Sequence, residues 1–185
     1  MILKKDNFTE SLFIAGAGGQ GVLQAGRIIA QSCVMENRYA TYYPSYGAEV
    51  RGGTANCTVI ISNSEIISPV VPRPENMIIM NIQSMGKFSR KVAENGLLLV
   101  NSSLASCSGA DFTGRVKVIE IPASRIAEET GNIRCANVVM LGAFIRARKI
   151  LSVNTLMKVI GDIFRNDPGV VSANIRALEK GMSYV

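Results

Sequence analysis

The chain has 185 residues, with 20 basic and 14 acidic side chains for a formal charge of +6, and it contains no histidine. The absence of imidazole excludes Ser-His-Asp, Cys-His and His-metal chemistry, since histidine is the usual proton shuttle and transition-metal ligand. Cys33, Cys57, Cys107 and Cys135 form no C-x-x-C or similar cluster, so iron–sulfur, zinc-ribbon and thioredoxin-like motifs have no basis here.

An even cysteine count without a secretory leader suits reduced, buried thiols in a cytoplasmic protein. Met1 to Asp6 has no apolar core or cleavage site, and no apolar run reaches the roughly 18 to 20 residues of a membrane helix. A hydrophobic fraction of 48% with 18% charged residues predicts one globular domain over 1–185. The basic residues are scattered, apart from Lys87/Arg90/Lys91 and Arg146/Arg148/Lys149 on predicted helices, and aromatic residues do not interleave with them. Nucleic acid is therefore not the expected partner. The charge suits anionic small molecules or an acidic protein surface.

Strand-length apolar runs recur in chain order at 12–15, 39–43, 57–61, 77–80, 97–100 and 116–121. Between the first two, Val22, Ala25, Ile28, Ile29 and Cys33 share one helical face that ends at Asn37-Arg38. Alternation of buried strands with helices predicts an α/β fold, a mostly parallel, doubly wound Rossmann-like sheet. Ser62-Asn63-Ser64-Glu65 reads as the turn of a β-hairpin between Val59-Ile60-Ile61 and Ile66-Ile67. Pro69, Pro72 and Pro74 then forbid regular structure. The last third is helical: 123–129 ending at Gly131-Asn132, then 136–150, 155–164 and 171–182, the last two each containing a mild breaker.

Gly16-Ala17-Gly18-Gly19-Gln20-Gly21 follows the first strand and opens the first helix. This G-x-G-x-x-G pattern lets backbone approach an anion while free N–H groups and the helix dipole attract it. The dinucleotide fingerprint also wants an acid at the end of the second strand. Here that strand ends Tyr42-Tyr43-Pro44-Ser45, and the nearest acids are Glu36 and Glu49. Three readings of the glycines stay open: close helix–strand packing, a nicotinamide or flavin dinucleotide, and another phosphate or a partner subunit's ligand.

The second distinctive segment runs from Pro44 to Thr54. Arg51 followed by Gly52-Gly53 offers a guanidinium fork beside bare backbone N–H groups, suited to carboxylate or phosphate. Ser45 and Tyr46 add hydroxyls, and Glu49 is placed to orient Arg51; the alternative is an ordinary surface loop with a Glu49–Arg51 pair. Both segments are expected at the carboxyl edge of the sheet, where open α/β sheets bind ligands. Neither carries a nucleophile with a base, paired carboxylates, a Walker lysine or a thiamine-diphosphate motif. Anion-binding backbone without catalytic groups suits a chain that completes a larger enzyme.

The stretch 13–22 with Ala25-Gly26, together with 44–57, resembles the gamma subunits of 2-oxoacid:ferredoxin oxidoreductases. Met80-Asn81, Val100-Asn101-Ser102-Ser103, Ile121-Pro122-Ala123 and 136–143 continue the resemblance in order. The wording of 44–57 is closest to the 2-oxoglutarate type. Pro74-Glu75-Asn76 departs from the family's usual Asp, and 106–113 looks individual to this chain.

The resemblance implies a non-redox subunit of a complex that decarboxylates a 2-oxoacid and releases acyl-coenzyme A. It places thiamine diphosphate and Mg2+ on alpha and beta subunits and iron–sulfur clusters on beta or a ferredoxin-like delta subunit, with ferredoxin as acceptor. It implies no catalytic residue or metal ligand here. The expected phosphate, coenzyme A or substrate contacts are Gly16, Gly18, Gly19, Gln20, Gly21, Ser45, Tyr46, Glu49, Arg51, Gly52 and Gly53. An indolepyruvate-type oxidoreductase subunit and a free-standing dinucleotide-binding domain are the alternatives.

Overall fold

The computed structural model describes residues 8–46, 54–107 and 115–185. Its six strands are β1 (Thr9–Ala17), β2 (Tyr39–Tyr46), β3 (Thr54–Ser62), β4 (Asn76–Ile79), β5 (Leu97–Asn101) and β6 (Lys117–Ile121). Its helices are α1 (Val22–Met35), α2 (Ile82–Phe88), α3 (Ala123–Glu129), α4 (Ala136–Arg148), α5 (Val153–Ile163) and α6 (Pro168–Ser183), with short 3-10 turns at Ser89–Lys91 and Ile133–Cys135.

The strands form one sheet in the order β2-β3-β1-β4-β5-β6. β1, β4, β5 and β6 pair in parallel, whereas β3 runs antiparallel to both β1 and β2. The result is the expected α/β architecture with one strand reversed. The antiparallel excursion lies elsewhere than the Ser62–Glu65 turn indicated: β3 returns from β2, and Ile66-Ile67 is not a strand. Ile67 is 99% exposed and leads into three prolines, so this segment has neither the burial nor the amide donors that a sheet edge requires.

Side chains alternate across the sheet and create two cores. On one face Leu12, Ile14, Val59, Ile61, Ile78 and Leu99 pack with apolar residues of α1, α3, α4, α5 and α6. On the other, Ala15, Met77, Ile79, Leu98 and Val100 pack with Met85 and Phe88 of α2. α4 is the central helix of the first face, with every residue from Ala136 to Ile145 buried. A helix enclosed on all sides is apolar nearly all round, and within 136–145 only Asn137 is polar.

α6 crosses α4 closely, because a Cβ on Gly181 would overlap the Val139 carbonyl and one on Gly142 the Leu178 carbonyl. Arg148 of α4 reaches back to β1, where its Nη2 pairs with Glu10 Oε2 at 2.9 Å. Among the described residues no helix is long and apolar enough to cross a membrane.

Candidate functional site

The registers place the glycine loop and the two described ends of the second segment, Tyr46 and Thr54, at one edge. Ala17, the last residue of β1, sits opposite Thr54, and Tyr46, the last of β2, sits opposite Ala55. β1 and β2 thus point the same way, with the start of β3 between them. Two strand spacings, about 9.5 Å, separate their ends. Met80 after β4 and Asn101 ending β5 lie on the same edge.

Within the glycine loop the glycines do different work. Gly16 is buried, and a Cβ there would meet Gln20 Oε1 at 2.7 Å, Met80 Cβ at 2.8 Å and Val22 Cγ2 at 2.9 Å. It serves close packing. Gly18 and Gly19 are exposed and face open space, and Gly19 adopts φ +86. Gly21 is the N-cap of α1 at φ 70, where no side chain caps the helix. Its carbonyl accepts from Asn137 Nδ2 at 2.9 Å. The loop therefore shows bare backbone outward at Gly18-Gly19, beside the positive end of a 14-residue helix.

Gln20 turns inward. Its Oε1 accepts from the Ala17 amide at 2.7 Å and its Nε2 donates to the Met80 carbonyl at 3.4 Å. The same carbonyl accepts from Asn101 Nδ2 at 3.4 Å, and Asn101 also donates to Ser124 Oγ at 2.9 Å. Asn101 Oδ1 accepts from the Ser103 and Ser124 amides, each at 3.3 Å. One polar network thereby ties the ends of β1, β4 and β5 to the start of α3. Asn81 completes the edge by capping α2, accepting from the Ser84 amide at 2.9 Å.

Asn81, Asn101 and Asn137 are all buried, and the list of predicted contacts contained none of them. An asparagine directly after an apolar strand is the signal that marks Asn81 and Asn101. Asn137 is recognisable only once α4 is seen to begin against Gly21. Its Oδ1 has no hydrogen-bond partner among the described residues.

Of the other predicted contacts, Ser45 and Tyr46 end β2, and Ser45 lines a groove on the sheet face that bears α2. Glu49, Arg51, Gly52 and Gly53 lie outside the described residues, as does most of 106–113. Glu36 sits beyond the far end of α1, where its carboxylate accepts from the Ser152 amide at 2.7 Å and pairs with Arg38. It is therefore a strut at the opposite edge from the glycine loop. With β3 inserted between β1 and β2, the second strand, whose end carries the ribose-binding acid in the dinucleotide fold, is not the neighbour of β1.

The four thiols are held neutral. Burial pushes Cys33 and Cys107 up to about 11 and Cys57 up to about 12, and burial also raises Cys135. Neutral thiols are poor nucleophiles and poor metal ligands, and among the described residues no trio of Cys, Asp or Glu is placed to hold a metal. Those residues do not fit an iron–sulfur cluster or the metal of a diphosphate cofactor.

The profile of the pyruvate ferredoxin/flavodoxin oxidoreductase family matches residues 11–184. The chain is 38% identical over 172 residues to the ketoisovalerate oxidoreductase subunit VorA of Methanothermobacter thermautotrophicus, covering 92% of this chain and 35% of that one. It thus spans about a third of the length of that relative. It is 34% identical to the 2-oxoglutarate synthase subunit KorC of Methanocaldococcus jannaschii, covering 91% of this chain and 89% of that one. Among solved structures, the keto/oxoacid ferredoxin oxidoreductase gamma subunit from Geobacter sulfurreducens aligns with a TM-score of 0.79 at 25% identity, covering 95% of each chain.

Proposed function

The chain belongs to the pyruvate ferredoxin/flavodoxin oxidoreductase family, and from that premise we propose that it is the gamma subunit of a 2-oxoacid:ferredoxin oxidoreductase. The complex would convert a 2-oxoacid, 2-oxoglutarate on the wording of 44–57, to acyl-coenzyme A. Thiamine diphosphate with Mg2+ and the iron–sulfur clusters would supply decarboxylation and electron transfer from the alpha, beta and delta subunits, with ferredoxin as acceptor.

This chain covers the entrance to that chemistry and receives coenzyme A or the substrate carboxylate. Gly18-Gly19 and the α1 N-terminus offer backbone donors to phosphate, and Arg51 offers charge from the segment that follows Tyr46. The observation that supports the reading is that the glycine loop and the strand ends flanking the second segment share one sheet edge, as the pairs Ala17–Thr54 and Tyr46–Ala55 indicate.

Arg51→Ala in the assembled complex tests it. The expected result is a KM for coenzyme A or the 2-oxoacid raised about tenfold, the value of one charge-assisted hydrogen bond. Unchanged KM and kcat would overturn the assignment. A branched-chain 2-oxoacid is the second reading, favoured by the 38% identity to the ketoisovalerate relative. Rates of the purified complex with 2-oxoglutarate, 2-oxoisovalerate, pyruvate and indolepyruvate separate the possibilities. Titration of the isolated chain with NADH, NADPH and FAD is expected to give no tight binding, since Glu36 is engaged at the far edge.

A further inference from the structure

A groove of about 370 Å3 lies on the sheet face that bears α2, within the size range of small-molecule sites. Its floor is Phe13, Met77 and Phe88. Phe13 meets Phe88 edge to face, with ring centroids 5.1 Å apart at 61°. Ser45, Thr54 and Asn56 form one wall, and Val71, Pro72 and Pro74 close another. Lys87 and Lys91 form the third.

The two lysines sit four positions apart around one helical turn and hold their ammonium groups 5.4 and 5.5 Å from the same Phe88 ring. Like charges at this spacing repel. Lys87 Nζ also reaches across to Thr54 Oγ1 at 3.4 Å. The ion pairs among the described residues join Arg38 to Glu36, Arg115 to Glu94, Arg125 to Glu129 and Arg148 to Glu10, and include neither lysine. Two gathered cations thus line an aromatic cleft that has no carboxylate among its described lining residues.

We propose that this groove binds a phosphate monoester carried on a planar ring, the chemistry of a nucleotide. A phosphate of charge near −2 matches two ammonium point charges and relieves their repulsion. A flat body lies against Phe13, and the hydroxyls of Ser45 and Thr54 with the Asn56 amide read its polar edge. The ligand is a free nucleotide or the nucleotide end of a larger cosubstrate, and both share this chemistry. The groove is separate from the outward backbone of Gly18-Gly19, so the proposal does not rest on the reading of that loop.

The test uses the purified full chain with 13C-methyl-labelled methionine, Met77 reporting from the groove floor and calorimetry giving affinity. AMP is expected to bind and to move the Met77 signal, with adenosine and inorganic phosphate each at least about tenfold weaker. Lys87→Gln with Lys91→Gln keeps side-chain length at two exposed positions, and should weaken AMP about tenfold or more while leaving the melting temperature unchanged. Lys158→Gln with Lys180→Gln, which removes the same charge from α5 and α6, should leave AMP binding intact.

Coenzyme A tighter than AMP, with Met77 moving, assigns the groove to the end of a cosubstrate; equal or weaker coenzyme A assigns it to a free nucleotide. The proposal is overturned if neither compound moves Met77, or if inorganic phosphate binds as tightly as AMP. It is equally overturned if both lysine pairs lose affinity alike. The Arg51→Ala result in the assembled complex is read independently, so either proposal can fail alone.

Discussion

Gly18 and Gly21 belong to one motif but carry different burdens. At Gly21, φ 70 and an Asn137 amide nitrogen 2.5 Å from any Cβ oppose a side chain twice over. Gly21→Ala is therefore expected to cost about 1–3 kcal/mol, seen as a lower urea midpoint at unchanged slope. Gly18→Ala, with nothing within 4 Å of its Cβ, should stay within about 0.5 kcal/mol of the parent. Equal losses at both sites would mean that the loop is not held as described. The pattern G-x-G-x-x-G announced a tight turn, and the structure contains one. It could not say which glycine packs and which is bare, because that depends on Met80 and Asn137, which are 64 and 116 positions from Gly16 and Gly21.

Cys33, Cys57 and Cys135 were legible as buried apolar residues, whereas Cys107 is half-buried, and the titration of Cys57 carries a consequence. Cys57 ionises near 9.0 when unfolded and near 12 when folded, because burial disfavours the thiolate. A folded pKa raised above the unfolded one gives stability that is complete below pH 9 and is lost progressively as pH rises towards 12. Urea midpoints should accordingly fall on the alkaline side. Cys57→Ala should flatten that fall while lowering stability at pH 7 through lost packing. An alkaline limb with the same slope in Cys57→Ala would assign the effect to other groups.

At the scale of elements, Gly161 and Gly181 look alike in sequence, each a breaker inside an apolar helical pattern. In the fold they are opposites. A Cβ at Gly181 would overlap the Val139 carbonyl of α4, whereas one at Gly161 meets nothing within 4 Å. Gly181→Ala should force α6 off α4 and cost about 1–3 kcal/mol. Gly161→Ala should stabilise by about 0.5–1 kcal/mol through helix propensity alone. Urea unfolding of the two variants decides it, and a neutral Gly181→Ala would refute the close crossing.

Strand and helix positions were largely readable from apolar runs, and the start and end of α3 were read to the residue. The reversed β3 was not, because strand direction leaves no mark on a short apolar run. Loop length shows it only once the strand ends are known, because residues 47–53 alone separate β2 from β3, fewer than the dozen or so that a parallel crossover requires. The turn residues at 62–65 lead to no second strand because Ile67 is exposed and the prolines beyond it withhold amide donors.

For the molecule as a whole, function follows from which end of the sheet is left open. α4 and α6 seal one face through backbone contact, and the amino-terminal edge is tied by Arg148–Glu10 and by Glu36 on the Ser152 amide. The carboxyl edge keeps its polar network buried yet exposes Ile82, Leu104 and Ile133 at 55%, 47% and 58% around the bare Gly18-Gly19 backbone. Exposed apolar side chains rimming a polar floor fit a surface that another subunit covers. Hydrogen exchange of the chain alone and in its assembled complex tests this arrangement. Protection gained on assembly should concentrate at 17–23, 81–84, 101–105 and 132–137. α5 should exchange alike in both states, because it packs at the far end of α1, where Val159 and Asp162 line a pocket with Val34 and Met35. Protection gained chiefly on α5 would place the partner on the opposite side and remove the carboxyl edge from the active-site entrance.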